Sequence, residues 1–228
     1  FAAAFDCDAD RVEILMQTGQ LLSGNYILAL VVDEVLSNVK NPRSQVIVIN
    51  DATSNIVSEI VKRYNAKIME VEVGETNVVE EMKRSKSIIG GEGSSGGAII
   101  SPSKCRDGIL TLLMILSIAA KKNKKLHEIA GEMPLYHNLK KNIEFEPKKH
   151  DNIKKFLKDH YAKKGFEIKE TRGIKGGLKA LNKDSFVWFR ASRTESNVFR
   201  IICDSRNRNE SEKLLEEAVK AFKKANES

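Results

Sequence analysis

The stretch Val46-Ile47-Val48-Ile49-Asn50-Asp51-Ala52-Thr53-Ser54-Asn55-Ile56-Val57-Ser58-Glu59-Ile60-Val61-Lys62-Arg63-Tyr64 decides the fold. A short apolar run reads as a strand, and the apolar residues from Ile56 onward recur three and four apart, the period of an amphipathic helix. The alternation continues with a strand over Lys67 to Val73, a helix over Asn77 to Arg84 and a strand over Ser87 to Ile89. This predicts an α/β unit. A Gly/Ser loop, Gly90 to Gly97, leads to a short strand, Ala98 to Ile100, and a long apolar helix, Asp107 to Ala120. The unit closes near Pro134.

Working outward, Phe1 to Phe5 reads as the tail of a buried strand whose domain began earlier in a longer protein. Val12 to Leu22 carries a hairpin around Thr18-Gly19. From a cap at Ser23 a helix runs with Ile27, Leu28, Leu30, Val31, Val35 and Leu36 on a broad apolar face, until Asn41-Pro42 breaks it. Downstream of Pro147 the texture changes to a basic amphipathic helix, Asp151 to Lys163, then strands Phe166 to Glu170, Leu178 to Leu181, Phe186 to Phe189 and Val198 to Cys203. A helix, Glu210 to Lys224, follows. The expected architecture is a mixed-sheet α/β domain over 42–146, preceded by the end of a similar domain over 1–41 and followed by a smaller α+β domain over 147–228.

At ~150 residues per domain, 228 residues also suggest more than one compact unit. Hydrophobic residues make up 41% and charged residues 30%, and no apolar run approaches the ~18 residues of a membrane span. A soluble chain without membrane contact is expected. The net charge of +7 suits anionic partners without choosing among them. Aromatic residues are only 6% with no strand-borne stacking pair, which speaks against nucleic acid. Cys7, Cys105 and Cys203 are odd in number and far apart, so a reducing, cytoplasmic setting is expected. Cys105 and Cys203 read as packing residues, and the Lys121 to Lys125 run as a solvated helix end.

Three polar loops offer chemistry. In Asp6-Cys7-Asp8-Ala9-Asp10-Arg11, three carboxylates at alternate positions would repel by roughly 4 kcal/mol per pair at an effective dielectric of 20. A hard cation such as magnesium would relieve this. Arg11 and Gln17 occupy the sixth and twelfth positions, where a calcium loop needs glycine and glutamate. An acidic turn is the bland alternative. Asp6 as a phosphoryl-accepting nucleophile, in the manner of haloacid-dehalogenase-like phosphatases, is another. The loop Gly90 to Gly97 holds Glu92, Ser94 and Ser95, acceptors and donors that suit a polyol, or else is a flexible connection. In Arg190-Ala191-Ser192-Arg193-Thr194-Glu195, two guanidinium forks and two hydroxyls could converge on a phosphate. A polar hairpin with its arginines paired to Glu195 is the alternative, as is a non-enzymatic anion-binding module for the whole chain.

Together, and in this order, the loops resemble the α-D-phosphohexomutase family. Its Asp-Gly-Asp-x-Asp-Arg metal loop is similar to Asp6 to Arg11, its Gly-Glu-x-Ser-Gly sugar loop to Gly91 to Gly96, and its Arg-x-Ser-x-Thr phosphate loop to Arg190 to Thr194. Cys7 stands where that family has glycine. The resemblance implies a four-domain parent enzyme, of which this chain holds the end of the second domain and the third and fourth. It implies a magnesium-dependent isomerase that interconverts hexose 1- and 6-phosphates, phosphoglucosamine and phosphomannose foremost, through a phosphoserine in the missing N-terminal domains. Asp6, Asp8 and Asp10 would be metal ligands and Arg11 catalytic. Glu92, Ser94 and Ser95, with Gly74 and Glu75, would bind the sugar. Arg190, Ser192, Arg193 and Thr194 would bind phosphate. This chain alone is then expected to be inactive, and a homo-oligomer stays open.

Overall fold

The computed structural model describes residues 1–171, 176–192 and 195–227. They fall into two compact units, Phe1–Pro134 and Leu135–Ser228. The first opens with a three-stranded antiparallel sheet in the order β1 (Ala2–Phe5), β2 (Val12–Leu15), β3 (Leu21–Leu22). Val12 and Ile14 of β2 are buried while Glu13 and Leu15 face out, the two-residue period of a strand covered on one side. Gly19, at φ 79°, makes the expected turn between β2 and β3. All four residues of β1 are exposed, which corrects the expected buried strand. Apolar composition marks the strand, but what covers its faces depends on neighbours that composition does not name.

The second sheet has the order β5 (Lys67–Val71), β4 (Val46–Asn50), β6 (Ile89–Gly91), β7 (Ala98–Ile100), parallel but for β7. Helices α2 (Asn55–Arg63) and α3 (Glu75–Ser85) make the two crossovers that parallel pairing demands. Val48 points into a core with Val78, Val79 and Met82 of α3 and Ile99 of β7. On the sheet's other face lies α1 (Gly24–Asn38), so close that a Cβ on Gly91 would sit 2.8 Å from Leu28 Cδ1. Because α1 also packs on α2, the expected break at 41/42 does not separate two bodies. The Pro42–Ser44 turn merely ends α1 and leads into β4. Asp107 caps α4 (Gly108–Lys122) by accepting the Leu110 N–H at 2.8 Å, and a short helix that the sequence reading left out, α5 (Leu126–Gly131), follows.

The second unit is an antiparallel sheet in the order β8 (His137–Glu144), β12 (Val198–Ser205), β11 (Ser185–Ala191), β10 (Leu178–Asn182), β9 (Glu167–Glu170). Helices α6 (His150–Lys163) and α7 (Arg208–Glu227) cover one face. Ile153, Leu157 and Tyr161 of α6 and Ala218, Ala221 and Phe222 of α7 meet Val187, Phe189, Phe199 and Ile201 of the sheet. At ~1.5–3 kcal/mol per large buried side chain, this is the unit's main source of stability. Strand β8 pairs with β12 along its whole length, so 135–146 packs in this unit and not with the preceding domain as the 42–146 span had it.

Candidate functional site

Leaving β1, the chain turns at once: the Ala9 N–H donates to the Asp6 carbonyl at 3.1 Å, and Ala9 takes a left-handed φ of 56°. The turn gathers Asp6, Asp8 and Asp10 so that one ligand oxygen from each lies within 4.8 Å of the others. Cys7 is not at positive φ. Glycine's freedom is therefore not required there, and the cysteine sits in the loop without backbone strain. It is exposed, as is Cys105. The expected packing role of Cys105 is thus corrected, while Cys203 is buried and its thiol is pushed up by that burial.

Arg11 closes the loop. Its N–H donates to Asp6 Oδ1 at 3.2 Å, and its Nε donates to Asp6 Oδ2 at 2.5 Å and Asp10 Oδ1 at 3.3 Å. Desolvation pushes the Asp6 carboxyl up, but the backbone and side-chain hydrogen bonds from Arg11 outweigh it and hold the group below the ordinary aspartate value. Arg11 is raised in turn, first by its bond to Asp6.

The Gly/Ser loop is packed, which decides against a flexible connection. Glu92 and Ser95 are each only 6% exposed. Glu92 Oε1 accepts from Asn50 Nδ2 and from the Gly74 N–H, both at 2.8 Å. Asn50, at the end of β4, is itself fixed because its Oδ1 accepts from Thr53 Oγ1 at 2.8 Å. Thr53 in turn accepts the Gly93 N–H at 3.1 Å. Two glycines permit close approach to the acidic loop and the start of β2. A Cβ on Gly96 would lie 1.8 Å from the Val12 carbonyl oxygen, and one on Gly97 would lie 2.1 Å from that of Asp10. The structure thus brings the acidic loop of residues 6–11 and the Gly/Ser loop of residues 90–97 together, with the Gly74 N–H bound to Glu92. Ser94 is exposed, whereas Ser95 is turned inward.

Arg106 was not among the residues expected at the site. Its Nε donates to Asp10 Oδ2 at 2.9 Å, with Nη2 on the same oxygen, and its Nη1 reaches Glu92 Oε2 at 3.4 Å. Its N–H donates to Glu75 Oε1 at 2.8 Å. The only sequence signal was an arginine immediately before the helix cap Asp107.

In the C-terminal unit, Arg190 is the penultimate residue of β11 at 7% exposure, and Arg200 of β12 stands directly opposite it. The Ser192 N–H donates to the Val198 carbonyl at 2.7 Å, and Ser192 Oγ accepts the Glu195 N–H at 3.3 Å. Glu195 accepts from Arg200 at 2.8 Å, a residue that the sequence reading did not single out. Lys140 of β8 is exposed as a residue, yet partial desolvation and then the neighbouring charge of Arg200 lower it. Arg193 and Thr194 lie outside the described residues.

An α/β/α unit that sets three clustered carboxylates against a glycine-built loop, followed in the chain by an α+β unit with an arginine-bearing hairpin, resembles the arrangement of a phosphohexomutase. The family model described as phosphoglucomutase/phosphomannomutase, alpha/beta/alpha domain III, matches residues 23–136. The chain belongs to the phosphoglucomutase/phosphomannomutase family. It is 32% identical to a phosphoglucomutase/phosphomannomutase of Thermococcus kodakarensis, over 99% of this chain and 47% of that protein. It is 29% identical to a phosphoglucosamine mutase of Methanocaldococcus jannaschii, over 97% of this chain and 48% of that one. The chain spans about half the length of these curated relatives. Its fold is that of a phosphoglucomutase/phosphomannomutase family protein from Burkholderia thailandensis, with a TM-score of 0.77 at 20% identity over 98% of this chain and 46% of the other. The match begins at residue 23, so α1 falls within this domain, in agreement with its packing on β6. These relatives do not favour the dehalogenase-like alternative for Asp6.

Proposed function

We propose that this chain carries the metal, sugar and phosphate loops of a magnesium-dependent phosphohexomutase, which interconverts hexose 1- and 6-phosphates through a phosphoserine enzyme. The observation that carries the proposal is the clustering of Asp6, Asp8 and Asp10 against the loop that holds Glu92. A donor set of carboxylate oxygens fits a hard divalent cation. Asp6, Asp8 and Asp10 would hold magnesium, whose chemistry when bound is to neutralise charge on a phosphoryl group.

Arg11 directs its guanidinium into the carboxylate cluster and would add a second positive charge beside the phosphoryl oxygens. Glu92, already fixed by Asn50 and Gly74, would accept hydrogen bonds from sugar hydroxyls through its remaining lone pairs, with Ser94 at the exposed edge of the same loop. Arg190 and Ser192, with Arg193 and Thr194, would hold the phosphate that does not react and so position the sugar. The phosphoserine is assigned to a segment outside these 228 residues. This chain alone should bind sugar phosphate and not convert it, with phosphoglucosamine and phosphomannose as the leading substrates.

The test is to titrate the chain with Mn²⁺ in place of Mg²⁺, and with glucosamine 6-phosphate and mannose 6-phosphate. Saturable binding of the metal and of one sugar phosphate is expected. Failure of the metal to bind, or mutase turnover by this chain alone, would refute the proposal as stated.

A further inference from the structure

Among the described residues Arg106 is the side chain that touches three carboxylates from three separate segments: Asp10 of the metal loop, Glu75 at the start of α3 and Glu92 of the sugar loop. Its side chain is only 19% exposed. It is fixed at both ends, by its own N–H on Glu75 Oε1 at 2.8 Å and by two guanidinium nitrogens on Asp10 Oδ2. A Cβ on Gly97 would lie 3.0 Å from the Arg106 Cβ, so the sugar loop closes directly over it. A planar fork with several donors meets such a set in fixed directions, an orientation that a point-charge ammonium does not impose.

The consequence for each partner is specific. Asp10 has one oxygen, Oδ2, committed to Arg106, which sets the rotation of the carboxylate and thereby directs Oδ1 toward Arg11 and the rest of the acidic cluster. Glu92 has Oε1 held by Asn50 and Gly74, and Arg106 fixes the remaining oxygen, Oε2. One guanidinium thus orients a metal-loop carboxylate and the sugar-loop carboxylate at the same time.

We infer that Arg106 is a positioning residue that joins the two loops, preorganising Asp10 for a divalent cation and Glu92 for a sugar hydroxyl. The inference rests on reading those loops as metal and sugar sites. Charge and positioning make opposite predictions for metal binding. Removing a cation from among carboxylates should on charge alone tighten a divalent ion. Releasing an oriented ligand should loosen it, as loss of groups that orient metal ligands commonly costs ~10–100-fold in affinity.

The experiment compares the 228-residue chain with its Arg106→Ala and Arg106→Lys forms. Mn²⁺ binding is read by electron paramagnetic resonance of the free ion, and glucosamine 6-phosphate binding by calorimetry in the presence of EDTA. For Arg106→Ala, both affinities should fall by about tenfold with the helical circular dichroism retained. Arg106→Lys keeps the charge and loses the fork, so both should stay several-fold below the parent chain. Glu92→Gln should cost less sugar-phosphate affinity in the Arg106→Ala background than in the parent, because the two residues act as one unit.

Unchanged or tighter Mn²⁺ binding by folded Arg106→Ala overturns the inference. If that variant does not fold, parent-like affinities for both probes in Arg106→Lys overturn it instead. A parent chain that binds neither probe defeats the site reading itself, and this inference with it.

Discussion

Asp6 and Asp8 share a loop and differ in what holds them. Asp6 accepts two bonds from Arg11, so its folded pKa lies below its unfolded one. A depressed carboxylate stabilises the fold above its unfolded value of ~4, and that contribution disappears as pH falls through the lower folded value. In a carboxyl-carbon NMR titration Asp6 should therefore titrate below the usual aspartate range, and Arg11→Ala should bring it back up. Asp8 is exposed, and its replacement by asparagine should leave the melting temperature nearly unchanged while weakening Mn²⁺ by about tenfold or more through loss of a charged ligand. Gly96 shows the opposite profile. A methyl there meets the Val12 carbonyl at 1.8 Å, and because that obstacle is backbone, Gly96→Ala should cost about 3 kcal/mol of stability in denaturant titration. The clustering of the acids was legible in the sequence, since alternate positions in a tight turn are neighbours. Arg106 was not, because its partners are 96, 31 and 14 residues away along the chain.

Elements defined by their own periodicity were read well. The strand over Val46 to Ile49 and the helix from Asn55 appear within a residue or so of where spacing placed them, since local apolar period and burial coincide in a parallel sheet. β8 was missed for the converse reason. His137-Asn138-Leu139-Lys140-Lys141-Asn142-Ile143-Glu144 has a weak apolar pattern and four exposed positions among its last five, and it is a strand because eight consecutive residues pair with β12. Pairing with a segment some sixty residues away left no mark on its composition. The sheet it joins is stabilised chiefly from the opposite end of the polarity scale, by Phe189 and its neighbours under α6 and α7. Phe189→Ala should destabilise the C-terminal unit by ~3–5 kcal/mol. Trp188 is the sole tryptophan of the chain and is buried in the same strand, so its fluorescence transition in denaturant should move to lower concentration by the corresponding amount. An unmoved transition would mean that the cluster contributes little.

At the scale of the whole molecule the question is what the +7 charge is for. A basic surface attracts nucleic acid only as far as its cations are free to neutralise phosphates. Many of the lysines here are locally matched. Lys121 pairs with Glu34, Lys122 and Lys124 with Glu132, Lys158 with Glu170 and Lys164 with Glu217. In the Lys121 to Lys125 run, read from the sequence as a solvated helix end, Lys122 and Lys124 share the one carboxylate of Glu132, which is lowered first by its bond to Lys124. The cations placed nearest chemistry, Arg11 and Arg106, are likewise held by acids within the loops they serve. Ion pairing of this kind reduces the number of counterions released from an oligonucleotide, whereas the proposed sugar phosphate would meet loops whose groups are already oriented. A mixed-sequence oligonucleotide should therefore bind weakly, with a shallow slope of log affinity against log salt, and be lost by ~150 mM. Glucosamine 6-phosphate affinity should change by less than about threefold between ~50 and ~150 mM salt, since oriented hydrogen bonds are screened less than surface charge. Oligonucleotide binding that survives ~150 mM salt while the sugar phosphate is lost would show that the net charge, and not the three loops, selects the partner.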